Sequence, residues 1–322
     1  MRISKEKLFL EAEATGFRVE ILEKVIHLLN LLESLGSHPF LQKRLALKGG
    51  TALNLFVFDL PRLSIDIDLN YIGAEDRETM LEERPKVEQA IQAVCSREGF
   101  AIRRIPSDHA GGKWFLRYDS DLGQGGNLEI DLNFMFRVPL WPVVTQDSRP
   151  VGSYQAKEIT IIDIHELAAG KLAALLSRHQ ARDLFDAHQL LTRGNLDPTR
   201  LRLAFIIYGA ANRKDWRTVK VDDVDFEQRE LEQHLIPLLR KDSLFNLKDL
   251  AEFGRTLVEE CRGALKKVLP LSKQEINFLD LLLVDGVIEP SLLTSDDIII
   301  EKVKHFPLLE WKAINVKQLK GA

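Results

Sequence analysis

Asp66 and Asp68 are the residues of this sequence whose types and spacing most directly suggest chemistry. They belong to the run IDIDLNYIG, in which apolar and polar residues alternate as in a β-strand. Residues two apart in a strand face the same side, so the two carboxylates would project together. Ionised carboxylates this close repel each other unless a cation lies between them, and Mg²⁺ with oxygen ligands is the usual cation. The pattern therefore predicts a metal site, although an isolated pair of this kind is more often a solvated strand edge.

A second strand-like run, NLEIDLNFMF, repeats the pattern with Glu129 and Asp131. If the two strands are neighbours, Asp131 brings a third carboxylate to the same ion. A purely structural carboxylate at Asp131 is the alternative.

A glycine doublet, Gly49 and Gly50, lies shortly before the two aspartates and opens the run TALNLFVFD, whose apolar spacing predicts a helix. Glycines let the backbone approach a phosphate, and the first N–H groups of a helix point at it. Thr51 and Ser64 add hydroxyl donors, and Arg62 adds a forked cation. The doublet lacks P-loop spacing and alone is usually a turn. Together with the aspartates, it predicts a corner for a triphosphate and Mg²⁺, suited to metal-assisted phosphoryl or nucleotidyl transfer.

The elements that must position these residues predict an α+β fold. Helical periodicity covers residues 5–35 and 76–99, and two strand-like runs flank the hairpin signal DLGQGG. The segment beginning EITIID predicts a short strand followed by helices that end at Gly194. We expect a first domain over residues 1–195 and a mainly helical domain over residues 196–322.

Composition limits the class of protein. The chain has 322 residues with 45% apolar and 29% charged residues, as in soluble globular proteins, and no apolar run long enough to cross a bilayer. Its start lacks an apolar leader, and Cys95 and Cys261 are too few for a disulfide framework, so we expect a cytoplasmic protein. The net charge of −4 does not indicate a nucleic-acid partner. The basic stretch 213–220 is open to two interpretations, an RNA path or a solvated helix end.

Two motifs resemble a known family. GGTAL followed by RLSIDIDL is similar to the opening motif of the AbiEii/AbiGii toxin family of nucleotidyltransferases, which includes the MenT toxins. ELAAGKLAALLSRHQARDLFD is similar to that family's second signature, a lysine on a helix followed by R-D-x-x-D. The resemblance covers about residues 40–195. It implies a polymerase-beta-type nucleotidyltransferase fold, with a mixed sheet flanked by helices.

The resemblance also implies a biological role. Family members are toxins of type IV toxin–antitoxin pairs or phage-defence systems. They transfer a nucleotide from an NTP to RNA, notably to the acceptor end of tRNA, and a cognate antitoxin protein is their partner.

Carried over by position, the resemblance implies a role for each matching residue. The metal ligands would be Asp66 and Asp68. Family members vary at the strand of Asp131, so Asp131 is a third ligand by the strand argument above and not by the resemblance. The catalytic set would be Asp66, Asp68, Lys171, Asp183 and Asp186, with Lys171 pairing with the triphosphate. By the same resemblance, Gly50, Thr51 and Ser64 would contact phosphate. The full predicted phosphate-binding set adds Lys48, Gly49, Arg62 and Arg182.

The second signature carries a geometric condition. Lys171 and Asp183 are twelve positions apart, so they can face one cleft only if the helix bends or breaks. We expect that break within residues 177–180. From the residues alone, Asp183 and Asp186 also fit a helix surface with salt bridges to neighbouring arginines.

Two alternative functions are compatible with the same arrangement of glycines and aspartates. One is a transferase that modifies proteins with a nucleotide or phosphoryl group, and the other is a non-catalytic nucleotide-binding regulator.

Overall fold

The computed structural model describes residues 3–106, 108, 110–123, 125–245 and 249–321. Within these residues, seven strands form one mixed sheet in the order β3-β4-β5-β2-β1-β7-β6. The strands are β1 Leu45–Lys48, β2 Asp66–Tyr71, β3 Ala101–Arg104, β4 Gly111–Tyr118, β5 Gly126–Asn133, β6 Val144–Gln146 and β7 Ile159–Ile161.

Helices make up most of the remaining described structure, and the α+β class is confirmed. They are α1 Lys5–Thr15, α2 Val19–Gly36, α3 Gly49–Ala52, α4 Arg77–Arg97, α5 Ile164–Arg178, α6 Ala181–Arg193, α7 Pro198–Ala210, α8 Gln228–Glu230, α9 Lys241–Phe245, α10 Leu250–Leu265, α11 Lys273–Asp280, α12 Asp297–Lys304 and α13 Pro307–Gly321. Helix α3 continues directly into a π-helical turn, Leu53–Val57.

The chain divides into two compact units. The first contains the described residues of Met1–Arg137, Val143–Ile162 and Leu235–Lys248, and therefore the whole sheet. The second contains those of Val138–Pro142, Asp163–His234 and Asp249–Ala322. Because compactness does not show which residues carry a function, the domain boundary near residue 195 stays a prediction.

One face of the sheet forms the core of the first unit. Ile67 on β2 pairs with Ile130 on β5, which pairs with Trp114 on β4, and all three are fully buried. Helix α2 packs on this face, since its His27 ring lies 4.1 Å from the ring of Tyr118, which has the same strand parity as Trp114. Burial of such large apolar side chains contributes roughly 1.5–3 kcal/mol each. The opposite face is therefore left to the polar residues of the same strands.

The second unit is built from helices packed on one another. Helix α5 packs against α6 and α7, and α6 packs against α10. Phe205 on α7 and Trp216 are fully buried with ring centroids 5.1 Å apart.

Most elements lie where the sequence predicts them. Residues 5–35 form α1 and α2, which are separated at Gly16, whose φ of 74° ends α1. Residues 76–99 contain α4, and β4 and β5 form the predicted hairpin, of which Gln124 lies outside the described residues. The sequence gives no signal for the short strands β3 and β6.

Candidate active site

Four carboxylates lie on the polar face of the sheet. Strand β2 pairs in parallel with β5, which places Asp66 opposite Glu129 and Asp68 opposite Asp131. Paired residues in a sheet share a face, so all four side chains project to the same side. The third-ligand role of Asp131 required β2 and β5 to be neighbouring strands, and they are.

The glycine doublet meets these acids at the end of β1. Strand β1 is antiparallel to β2, with Lys48 opposite Asp68. Gly49 has a φ of +70°, and a Cβ built on it would lie 2.1 Å from Oδ2 of Asp68. Only glycine allows this approach of the backbone to the carboxylate. We call Gly49, Gly50, Thr51, Asp66 and Asp68 the glycine–aspartate corner.

Thr51 joins the two halves of the corner. Its side chain is fully buried, and its hydroxyl donates to the carbonyl oxygen of Asp66 at 2.5 Å. The hydroxyl therefore ties α3 to β2. One turn further, Asn54 is also buried and donates from Nδ2 to the carbonyl oxygen of Gly50 at 3.0 Å. The sequence analysis did not identify Asn54. Its position could have been noticed because it is a polar residue one helical turn after the glycines, in an otherwise apolar run.

Three side chains predicted to bind phosphate near the corner differ in their accessibility. Arg62 is buried and donates from Nη1 to the carbonyl oxygen of Leu63 at 2.8 Å, and Ser64 is also buried. Lys48 is partly exposed, and its Nζ lies 5.6 Å from the ring centroid of Phe136. Of these three, Lys48 has the side chain most accessible to a solvent-borne phosphate.

Lys113 is a residue of this face that sequence reasoning missed. It lies on β4 opposite Asp131, and its Nζ contacts Oε2 of Glu129 at 2.8 Å. The hydrogen bond to Glu129 raises the pKa of Lys113, and the charges of Asp66 and Asp131 add to the effect. The alternation of polar and apolar residues in KWFLRYDS indicates the position of Lys113, because it puts this residue on the polar face. The face therefore combines four carboxylates with the exposed ammonium group of Lys113 and the partly exposed one of Lys48.

The residues of the second signature form a buried ion cluster in the second unit. Nζ of Lys171 lies 3.0 Å from Oδ1 of Asp183 and 2.9 Å from Oδ2 of Asp186. Both aspartates are almost completely buried, and Arg178 adds a contact to Asp183 at 2.8 Å. Burial raises the pKa of Asp183, but the charges of Lys171 and Arg178 outweigh it and hold that pKa below its ordinary value. The helix surface considered from sequence is thus an internal cluster, and Arg182 lies beside it in the chain, half-buried.

The predicted helix break is present. Helix α5 ends at Arg178, His179 has a φ of 26°, and α6 begins at Ala181. This break turns the chain so that Lys171 on α5 reaches Asp183 on α6.

Glu166, in the same signature, is a buried residue to which sequence reasoning gave no role. Its carboxylate accepts hydrogen bonds from the N–H groups of Leu140 and Trp141 at 3.1 and 3.3 Å and from the hydroxyl of Tyr208 at 3.0 Å. Burial raises the pKa of Glu166 to about 7. The side chain fixes the segment Val138–Pro142 within the second unit.

Two of the four basic residues in the stretch 213–220 form ion pairs within the second unit. Nζ of Lys214 contacts Asp223 at 2.8 Å, and Arg217 contacts Asp215 and Asp280 at 2.6 and 2.7 Å. These ion pairs involve Lys214 and Arg217, and both interpretations of the stretch, an RNA path and a solvated helix end, stay open.

A mixed sheet with acids and a glycine turn on its polar face fits the nucleotidyltransferase class that the sequence motifs resemble, and comparison with known proteins agrees. A model of the nucleotidyl transferase AbiEii toxin of type IV toxin–antitoxin systems matches residues 30–265. The chain belongs to this family. It is thus an NTP-dependent nucleotidyltransferase, a toxin of a toxin–antitoxin system, and the family implies an antitoxin partner.

A solved structure supports the fold. The chain is similar to MenT4, a nucleotidyltransferase toxin from Mycobacterium tuberculosis H37Rv, with a TM-score of 0.55 and 16% identity over 96% of this chain and 98% of that one. At this identity the similarity concerns the fold alone. No curated protein matches the sequence. Among the described residues, no helix has the length and apolar character to cross a bilayer.

Proposed function

We propose that the protein transfers a nucleoside monophosphate from an NTP to an RNA acceptor, the 3′ end of a tRNA, at the glycine–aspartate corner. The observation that carries this proposal is the approach of Gly49 to Asp68, which brings a glycine turn and a carboxylate to one point. A triphosphate and its metal need these two surfaces side by side.

The acids of this face fit Mg²⁺. Carboxylate oxygens are the ligands that this ion prefers, and the register places four of them on one side of the sheet. Asp66 and Asp68 would hold the ion, with Asp131 as a third ligand. When bound, Mg²⁺ neutralises charge on the phosphates during transfer.

The chain's own residues supply position and charge. The backbone at Gly49 and Gly50 would lie against the phosphates, and Lys48 and Lys113 would offset negative charge near the acids. In the reaction, the acceptor hydroxyl attacks the α-phosphorus and loses its proton, a new P–O bond forms, and the bond to pyrophosphate breaks. The buried Arg62 and Ser64 would hold the segment before β2 in position.

The second signature is proposed to serve the same reaction, and Lys171→Arg tests it. Arginine keeps the positive charge beside Asp183 and Asp186 but changes its shape and donor geometry. We expect the folded protein to retain most of its stability and to lose transfer activity. Unchanged activity would limit this cluster, including Arg182, to a structural role.

The main experiment uses each α-labelled NTP with total tRNA and Mg²⁺. We expect one NTP to label the tRNA, and Asp66→Asn or Asp68→Asn to abolish labelling while the fold is kept. Asp119→Asn, an exposed acid of the same unit, is the matched control and should leave labelling unchanged. Label on protein instead of RNA would show that the acceptor is a protein and not a tRNA. NTP binding without transfer would refute the proposed transferase activity.

The cellular role follows the same proposal. We propose that the toxin acts in the cytoplasm in a toxin–antitoxin or phage-defence system, and that residues 1–195 carry the transfer while residues 196–322 bind the acceptor or the antitoxin. Arrest of translation on expression, lost in Asp66→Asn, is the expected outcome.

A further inference from the structure

A histidine and two carboxylates come together on the apolar side of the sheet, away from the glycine–aspartate corner. Glu23 and His27 lie one turn apart on α2, and Asp121 lies in the turn between β4 and β5. One ligand atom of each residue lies within 4.8 Å of the other two. Helix α2 packs on the sheet face opposite to Asp66 and Asp68, so this cluster is separate from the proposed magnesium site.

The two carboxylates already hold the local structure together. Glu23 is buried and accepts hydrogen bonds from the Ser120 hydroxyl and the Asp121 N–H group, both at 2.7 Å. Oδ2 of Asp121 accepts from the N–H group of Ile3 at 2.9 Å. Each carboxylate oxygen has a second lone pair, so these bonds leave the acids able to ligate a cation.

His27 is the observation that points to a ligand. It is only 4% exposed, and its Nε2 atom has no hydrogen-bond partner among the described residues. Its ring packs on Tyr118 and lies edge-on to Phe100, at 4.1 and 6.1 Å between centroids. These contacts fix the ring but give Nε2 no hydrogen-bond partner. A buried polar atom without a partner is costly, and a bound group that contacts the ring would remove that cost.

We propose that Glu23, His27 and Asp121 bind a divalent transition-metal ion of the Zn²⁺ class. One imidazole nitrogen and two carboxylates suit zinc better than magnesium, which prefers oxygen ligands alone. Neighbouring ligand atoms of a tetrahedral zinc site lie about 3.3 Å apart, so the three groups have to draw together by up to about 1.5 Å. Asp121 is partly exposed and lies on a turn, so its side chain has room to move and the fourth position can hold water. The ion would join α2, the β4–β5 turn and the segment at Ile3.

The test measures zinc binding to the full chain. Protein stripped with EDTA and kept in excess Mg²⁺ is titrated with ZnCl₂ against a fluorescent zinc chelator. We expect one equivalent of Zn²⁺ to bind, and affinity to fall at least about ten-fold in Asp121→Asn and in His27→Gln. Asp119→Asn, two positions away and outside the cluster, should bind as the unmodified protein does.

Two further measurements keep the test decisive. If His27→Gln fails to fold, Asp121→Asn alone decides, together with the visible spectrum of bound Co²⁺, which should show a nitrogen ligand in the unmodified protein. Absence of stoichiometric zinc binding would overturn the proposal. So would equal binding by Asp121→Asn and Asp119→Asn, or a loss of binding in Asp68→Asn instead. None of these readouts depends on tRNA labelling, so this proposal and the proposed function can fail separately.

Discussion

Gly49→Ala is the sharpest test of the glycine–aspartate corner. Gly49 has a φ of +70°, in the left-handed region, and its added Cβ would lie 2.1 Å from Oδ2 and 2.8 Å from Cγ of Asp68. Ordinary contact begins near 3.4 Å, so the carboxylate has to move by at least about 1 Å. The substitution therefore strains the backbone and displaces a proposed metal ligand at the same time.

The two effects have separable magnitudes. A side chain in the left-handed region costs roughly 1–2 kcal/mol of folding free energy. Displacement of a reacting group by about 1 Å costs on the order of 100-fold in rate. We expect Gly49→Ala to lower the free energy of unfolding by more than the backbone cost alone, and to reduce tRNA labelling about 100-fold.

Gly99→Ala is the matched control. Gly99 has a φ of +83°, and a Cβ built on it meets no atom within 4 Å. Gly99→Ala therefore strains the backbone in the same way but causes no steric collision. Urea unfolding and the initial rate of tRNA labelling are measured for both variants. We expect Gly99→Ala to lose stability but keep full activity.

A double-mutant cycle isolates the collision itself. Asp68→Ala removes the two atoms nearest to the added Cβ and leaves the Asp68 Cβ, which lies 3.0 Å from it. The stability cost of Gly49→Ala should therefore shrink towards that of Gly99→Ala in this background. Equal stability costs and equal activities for Gly49→Ala and Gly99→Ala would refute the reasoning.

Three other predictions concern buried polar groups. Lys171→Met removes the ammonium group that Asp183 and Asp186 share and leaves Arg178 as a cation beside Asp183. It should cost about 3 kcal/mol in urea unfolding, whereas Lys113→Met on the surface should cost less than about 1 kcal/mol; similar costs would contradict the burial argument. Burial raises the pKa of Glu166 from 4.5 to about 7, so the folded protein binds this proton more tightly than the unfolded chain does. Its contribution to the free energy of unfolding should fall by about 3 kcal/mol as the pH rises through this window, and Glu166→Gln should flatten the profile; an unchanged profile would rule out this assignment. Thr51→Val removes the hydroxyl bond to β2 and should cost about 1 kcal/mol in the same assay, and a stabilised variant would contradict it.

Local patterns predicted the parts of the site that depend on short-range geometry. The alternation in β2 and β5 fixes which residues share a face, because side chains in a strand alternate with period two. The break between α5 and α6 was predicted from the family resemblance, which requires Lys171 and Asp183 to face one cleft. The glycine turn before Thr51 follows from the doublet itself.

Long-range packing determined what the sequence could not show. Strands β2 and β5 are neighbours because of the order of the whole sheet. From the sequence alone, this pairing could only be assumed. Strands β3 and β6 have four and three residues, too few for alternation to emerge. The burial of Asp183 beside Lys171 was hidden, because charged residues at helical spacing usually mark a surface. The target of the Thr51 hydroxyl lies on another strand, and no local signal predicts it.

The first unit takes its last segment from late in the chain. The N–H group of Leu63 donates to the carbonyl oxygen of Leu238 at 2.9 Å, and that of Lys241 donates to Gly16 at 2.8 Å. On the ribosome, these bonds can form only after the intervening residues 163–234 have been made. A nascent chain stopped near residue 195 would lack both of them, so the order of synthesis delays completion of the sheet-bearing part of this toxin until most of the polypeptide has emerged.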